Sequence, residues 1–253
     1  MELLWHGTAG IEIRTANGKI LIDPFVPLPG AENPTGIEAY DGCTDILVTH
    51  GHFDHIASLP QILQRNPDAR IYCTKTPYGT LLEKGIPEKN LTEIFFDIPF
   101  EIQGISILPL HGKHAILPPI SLQRLLYALR SKYRANVPWI LKENRICREN
   151  DETVTYFIDH RLLLLGSMNL RDDTSYPEHI EVLVLPYNGW EDNYPEACRI
   201  IDRLKPDTVL LDHYDDAFPP ATQPLDLTAI LDTYKGRVRA MKTGHIYKLG
   251  ERK

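Results

Sequence analysis

Ile46-Leu47-Val48-Thr49-His50-Gly51-His52-Phe53-Asp54-His55 is the stretch from which the rest of this chain is read. An apolar run ends in three imidazoles and a carboxylate, so a strand delivers nitrogen and oxygen donors to one point at its C-terminal end. Neutral imidazole and carboxylate are the donors that surround a catalytic zinc or a similar divalent ion. The chain holds only ten His in 253 residues, so three of them in six positions beside an Asp mark a metal site rather than a solvated loop. His50 and His52 lie two apart, and in extended backbone their side chains project to the same side. Asp54 and His55 add a second donor pair just before a helix is expected to begin.

Outward from this stretch, the pattern alternates between short β-type runs and helical segments. Strands are expected at 11–15, 19–23, 46–49, 70–74, 105–110, 153–158, 162–165, 182–185 and 208–211, with Asn17-Gly18 as a tight turn joining the first two. Asp159-His160-Arg161 is expected to turn between two others. Helices are expected at 56–65, 76–84, 195–204 and 227–234, stopped by the glycines and prolines that follow them. No repeat or Ser/Gly linker divides the chain, so one layered α/β domain is expected over 1–253.

Three further donors follow apolar runs. His111 ends the run 105–110, His114 stands three residues on and competes for the same role, and His213 follows Val209-Leu210-Leu211-Asp212. Asp23, after Ile20-Leu21-Ile22, is placed to hold a ligand imidazole by its second nitrogen, which fixes tautomer and basicity.

The pattern His-x-His-x-Asp-His at 50–55 resembles the metallo-β-lactamase superfamily. The resemblance extends upstream, where Trp5-His6-Gly7-Thr8-Ala9-Gly10 precedes Ile11-Glu12-Ile13, Asn17-Gly18 and Lys19-Ile20-Leu21-Ile22-Asp23-Pro24. That order is similar to the opening hairpin of the branch with ascorbate-phosphate lactonases and N-acyl-phosphatidylethanolamine phospholipases. Downstream, Leu110-His111-Gly112, Leu165-Gly166-Ser167 and Asp212-His213-Tyr214-Asp215 stand where that branch carries its later ligands. The resemblance implies a four-layer αββα sandwich, with two mixed β-sheets packed face to face and helices outside. It implies that His50, His52 and His111 bind one metal and that Asp54, His55 and His213 bind a second. A pair of divalent ions activates the attacking oxygen and steadies the leaving one. Asp54 would then orient the water, while His114, if not a ligand, and Tyr214 are candidate donors to a developing oxyanion.

The chain departs from the family pattern at one position. There the strand corresponding to 162–165 runs into Gly-Asp, and that Asp bridges the two metals; here Gly166 is followed by Ser167. The site loses a negative charge, so one or two ions are both compatible with it, and Asp172 or Asp173 is the nearest substitute. Zinc is the first expectation, with manganese and iron also suited to these donors.

Composition limits the alternatives. The chain is 43% hydrophobic and 24% charged, as a soluble globular protein is. It has no apolar run near the roughly 20 residues that span a bilayer. Met1–Gly7 lacks a secretory pattern, and Cys43, Cys73, Cys147 and Cys198 are scattered with no C-x-x-C pair, so reduced thiols and a cytoplasmic location are expected. Residues 121–148 carry seven Lys or Arg against Glu143, a charge of +6, whereas the whole chain is −7 and the remainder therefore −13. With Leu122, Leu125, Leu126 and Leu129 at helical spacing and Pro118-Pro119 ahead of them, this reads as a basic helical lid over 118–148. Such a lid would attract an anionic small-molecule substrate or make transient contact with an anionic membrane surface. Its leucines could equally pack on the core or form a contact between copies in a homo-oligomer. Asp215-Asp216 act against anions. No nucleic acid is expected, given the net charge of −7 and the lack of a recognisable RNA-binding motif.

The sequence thus favours a metal-dependent hydrolase that uses a metal-bound hydroxide on a phosphodiester, phospholipid or lactone ester bond. The alternative is a metal-binding, non-catalytic or ligand-sensing protein of the same fold, which Ser167 keeps in view.

Overall fold

A computed structural model describes residues 1–115, 122–187 and 193–250. Among these, fourteen strands form two seven-stranded sheets. The first runs in the order β14-β1-β2-β3-β4-β5-β6, comprising Ile246–Lys248, Glu2–Trp5, Ile11–Arg14, Lys19–Ile22, Asp45–Leu47, Arg70–Cys73 and Leu91–Glu93. The second runs β13-β12-β11-β10-β9-β8-β7, comprising Val238–Ala240, Thr208–Asp212, Val182–Pro186, Leu162–Leu165, Val154–Ile158, Ile105–His111 and Phe100–Ile102. Each sheet is mixed. Pairing is antiparallel from β14 to β3 and from β7 to β10, then parallel from β3 to β6 and from β10 to β13.

Alternation along the strands sorts side chains into three buried layers. Leu3, Trp5, Ile11, Ile13, Ile20, Ile22 and Leu47 face Val154, Tyr156, Leu162, Leu164, Val184 and Leu210 across the space between the sheets. The opposite face of the first sheet, including Leu21, Ile46, Val48 and Ile71, is covered by residues of α1 (Phe53–Ile56), α2 (Leu59–Arg65) and α3 (Lys75–Glu83). Leu163, Leu165, Leu183, Leu185, Val209 and Leu211 of the second sheet lie under α6 (Asn193–Leu204) and α7 (Thr228–Thr233). The architecture is the expected αββα sandwich.

The expected hairpin turns form. Thr15 N–H donates to the Gly18 carbonyl at 3.0 Å, and Asp159-His160-Arg161 turns β9 into β10, with Asp159 and His160 at positive φ and the Arg161 N–H donating to the Ile158 carbonyl at 3.1 Å. The helix expected over 56–65 is instead two: α1 ends at Ile56 and α2 starts at Leu59, with a proline in its first turn. Between them the Ser58 hydroxyl accepts the Val26 N–H at 2.9 Å, tying the break to the loop after β3.

The basic segment folds as α4 (Leu122–Arg130), a 3-10 turn and α5 (Val137–Ile146), whose Pro138 sits in the first turn. Trp139 packs on Phe25 and Phe53, and Lys84 pairs with the buried Glu143, so α5 is seated against α1 and α3. Leu126 and Leu129 do not pack on the core: they are 42% and 52% exposed. Pro118-Pro119, and the side chains of Leu122, Arg124 and Leu125, lie outside the described residues. Among the described residues no helix is long and apolar enough to cross a membrane. Cys43, Cys73 and Cys147 are buried, and all four cysteines are free.

Candidate metal centre

The donors gather where the strands of both sheets end. Asp23 follows β3 with φ +46 and His213 follows β12 with φ +58, both in the left-handed region. The cost of such a conformation is of order 1–3 kcal/mol. At His213 it is held by a hydrogen bond from its N–H to the Thr8 carbonyl at 2.8 Å. Gly51 is required for packing: a Cβ there would collide with the Arg148 carbonyl, so the chain leaving α5 lies directly on the turn between His50 and His52.

Asp23 organises the stretch from Thr49 to His55. Its Oδ1 accepts the Thr49 N–H at 2.8 Å, and its Oδ2 accepts both the Thr49 hydroxyl and the His55 Nδ1–H, the latter at 2.8 Å. The Thr49 hydroxyl, having given its proton to Asp23, accepts from His50 Nδ1 at 3.0 Å. Both rings therefore carry hydrogen at Nδ1 and turn Nε2 inward. Asp23 thus lies at the Nδ1 edge of the His55 ring and also holds Thr49, a residue that the sequence reading passed over.

Two groups of three donors result, the donor atoms of each lying within 4.8 Å of one another: His50, His52 and His114, and Asp54, His55 and His213. In the first, His50 Nε2 and His52 Nδ1 are 3.2 Å apart, and the His114 ring lies 5.0 and 4.6 Å from the His50 and His52 rings. His114 Nδ1 donates to the Ala115 carbonyl at 2.7 Å, which leaves its Nε2 for the group. In the second, Asp54 Oδ2 lies 3.2 Å from His213 Nε2 and 3.7 Å from His55 Nε2.

The sequence expectation that His111 joins His50 and His52 is corrected here. His111 ends β8, and its ring stacks on Phe96 at 3.8 Å, in a separate cleft with Asp97, Arg171 and Asp173. β9 separates β8 from the ligand-bearing strand ends, so the chain first crosses the start of β9, where Gly112 N–H donates to the Thr153 carbonyl. Only then does it reach the centre, and the histidine there is His114. Asp172 and Asp173 do not replace the missing acid; both are exposed and lie by Arg203 and Arg171. The Tyr214 ring lines the cavity, but its hydroxyl donates to the Met241 carbonyl and is not available to an oxyanion. The Ser167 hydroxyl, at the position where the family pattern has its bridging acid, accepts the Ala115 N–H at 3.0 Å.

The electrostatics separate the two groups. Burial, reinforced by the neighbouring imidazoles, pushes His50 well below the usual histidine range, and burial takes His52 to about 4 and lowers His114. All three are neutral donors near pH 7. Burial also disfavours charge on His55, but Asp23 and Asp54 outweigh it and raise it to about 9. Asp54 is held ionised against burial by His55 and His213. Beneath them Asp212 is driven up to about 7 by burial, and its Oδ1 is buried without a partner.

This donor set fits divalent ions. Two nitrogens bound at about 2.0–2.1 Å to one tetrahedral ion lie about 3.3–3.4 Å apart, and His50 Nε2 and His52 Nδ1 already have 3.2 Å between them. The cavity over the two groups has a volume of about 180 Å3; Phe53, Phe218 and Leu225 supply apolar wall, and Asn144, Thr222 and Gln223 supply polar groups.

A family model described as a β-lactamase superfamily domain matches residues 19–214. A UPF0173 metal-dependent hydrolase of Aeropyrum pernix is 33% identical over 84% of this chain and 82% of its own length. Another, from Pyrobaculum arsenaticum, is 28% identical over 98% and 100%. Other relatives match over less: for the Agrobacterium fabrum protein, 31% identity covers 46% of this chain and 48% of that one. Among solved structures, Igni18, a metallo hydrolase from Ignicoccus hospitalis, superposes with a TM-score of 0.63 at 16% identity, covering 98% of this chain and 99% of that one. A diphosphatase from the PhnP family does so at 0.61 and 14% identity, covering 95% and 84%, and the diiron β-hydroxylase CmlA from Streptomyces venezuelae at 0.61 and 14%, covering 98% and 54%. At such identities the likeness is one of fold. With the family model spanning most of its length and the donors gathered at its strand ends, the chain belongs to the metallo-β-lactamase superfamily, among its metal-dependent hydrolases.

Proposed function

We propose that this chain holds one divalent ion in each donor group and hydrolyses an ester-type bond in an anionic small molecule. The observation that carries the reading is that both groups open onto the same cavity, whose lining includes His50, His52, Asp54, His55, His114 and His213. A divalent ion there lowers the pKa of water toward about 7 and stabilises negative charge on a reacting oxygen. The chain's own residues do the rest. His50 and His114 bind through the nitrogens that their hydrogen bonds leave free, His52 binds through the Nδ1 that faces His50 Nε2, and Asp23 locks His55 into the tautomer that presents Nε2. Asp54 engages its group through Oδ2 and orients the attacking water at Oδ1. Phe53, Phe218 and Leu225 exclude bulk water, which strengthens every charge interaction inside.

Charge supports an anionic substrate. Arg130, Lys132, Arg134, Lys142, Arg145 and Arg148 are all exposed, and the acid among them, Glu143, is buried against Lys84. Exposed charge of one sign concentrated along 130–148 raises the local concentration of the opposite one. A phosphodiester combines that charge with an ester-type bond.

The test is hydrolysis by metal-replete protein of a chromogenic phosphodiester, a lactone and a neutral carboxylate ester. The expected result is chelator-sensitive turnover, fastest on the phosphodiester and lost in His52→Ala. Protein that carries its ions but turns over none of the three would replace this reading with a metal-binding, ligand-sensing one.

A further inference from the structure

We infer that Ser167 is a positioning residue for the third donor of the neutral group, acting through the backbone of Ala115. The inference rests on the metal-centre reading above and assigns a part of it. His114 lies beyond the end of β8, where no strand ladder holds the chain. Ala115 carries the fixing contacts: its N–H donates to Ser167 Oγ at 3.0 Å, and its carbonyl accepts the His114 Nδ1–H at 2.7 Å. The first bond sets the position of Ala115. The second selects the His114 tautomer whose Nε2 faces His50 and His52.

Ser167 is built for this contact. It is 1% exposed, and it follows a glycine that admits no side chain, because a Cβ at Gly166 would overlap the Val154 carbonyl and come within 2.7 Å of Thr49 Cβ. The backbone ahead of Ser167 is therefore clamped between β9 and the loop that carries His50. A short neutral hydroxyl on that clamp accepts an N–H without bringing another charge to the floor. Two of the three neutral donors are thus steadied by different devices: a threonine hydroxyl behind His50, and a serine-anchored carbonyl behind His114.

The test uses the full chain stripped of metal. Each binding step is measured by calorimetry with Zn2+ and by the visible spectrum with Co2+, and the His114 tautomer by long-range 1H–15N correlation. Groups that support a ligand from behind typically contribute 10–100-fold to metal affinity. Ser167→Ala is therefore expected to weaken one of two steps by about 10–100-fold. The other step should stay near its original affinity, and the single Nδ1–H tautomer of His114 should be lost. Ser167→Thr, which keeps the acceptor, should restore the affinity and the tautomer; should Ser167→Ala not fold, Ser167→Cys, a weak acceptor of similar size, takes its place. Unchanged steps and tautomer in Ser167→Ala, or a Ser167→Thr that behaves as Ser167→Ala, would overturn the inference. Failure of the centre itself is distinct, because wild-type protein would then bind no ion at all.

Discussion

The two donor groups lie side by side, yet they are built on opposite principles. His50, His52 and His114 are neutral, and a hydroxyl and a backbone carbonyl support two of them. Asp54, His55 and His213 include a carboxylate, and a second carboxylate, Asp23, backs His55. An ion in the first group keeps its full charge, whereas one in the second is partly neutralised by Asp54. The lesson is that a single loop, 50–55, can serve two ions differently. His50 and His52 project to one group and Asp54 and His55 to the other, and the strand ends of the second sheet complete each.

That contrast can be broken most forcefully by removing one donor from each side. His52→Ala should empty the neutral group and Asp54→Ala the charged one, each leaving close to one ion per chain and lowering turnover by about a thousandfold or more, the scale of losing a catalytic group. If either variant loses both ions, the groups are not separable. Asp23→Asn should come next, weakening the ion at the charged group by about 10–100-fold and the ion at the neutral group less, because Asp23 touches His55 directly and reaches His50 only through Thr49; equal weakening of both in a calorimetric titration would dissolve the contrast. A smaller effect is expected from Arg130→Glu with Arg134→Glu. The KM for an anionic substrate should rise several-fold while that for a neutral ester stays put, since exposed charges steer but bind weakly. Equal changes in both would remove the basic segment from substrate capture.

Glu12 offers a control away from both groups. Burial opposes its charge, but His6, Arg14 and Lys19 outweigh it and bring its pKa down to about 2. A depressed carboxylate stabilises the fold above its unfolded pKa and loses that contribution as pH falls through the folded value. Acid unfolding should therefore draw on Glu12 between about pH 4.5 and 2, and Glu12→Gln should flatten that limb without changing metal content. A Glu12→Gln variant with the wild-type acid limb would show that the pairing contributes nothing.

Much of the centre was legible in the sequence because it is local. His50, His52, Asp54 and His55 are nearly contiguous, and Asp23 and His213 each follow an apolar run that ends in the donor. His111 has the same signature and is elsewhere. What separates it from His114 is the crossing at Gly112 over β9, a tertiary event with no local trace. Thr49 was passed over because a threonine ahead of a histidine has no metal-site signature; its role appears only once Asp23 is beside it. The fold was read where strands are long and apolar, as at 105–110 and 182–185. β1, β6, β7, β13 and β14 went unread: each is three or four residues long, and β6, β7, β13 and β14 lie at or near a sheet edge, where the partner strand rather than composition dictates extended structure. Ser167 was noted as a lost acid; that it is a gained anchor could be seen only from Ala115.

The measurement that tests the central claim most directly is metal content per chain. It is made by plasma mass spectrometry on untagged protein purified without chelator and, separately, after repletion. Two separate groups of three donors predict close to two ions per chain. One ion after repletion would contradict the division into two working groups, and none would contradict the centre itself.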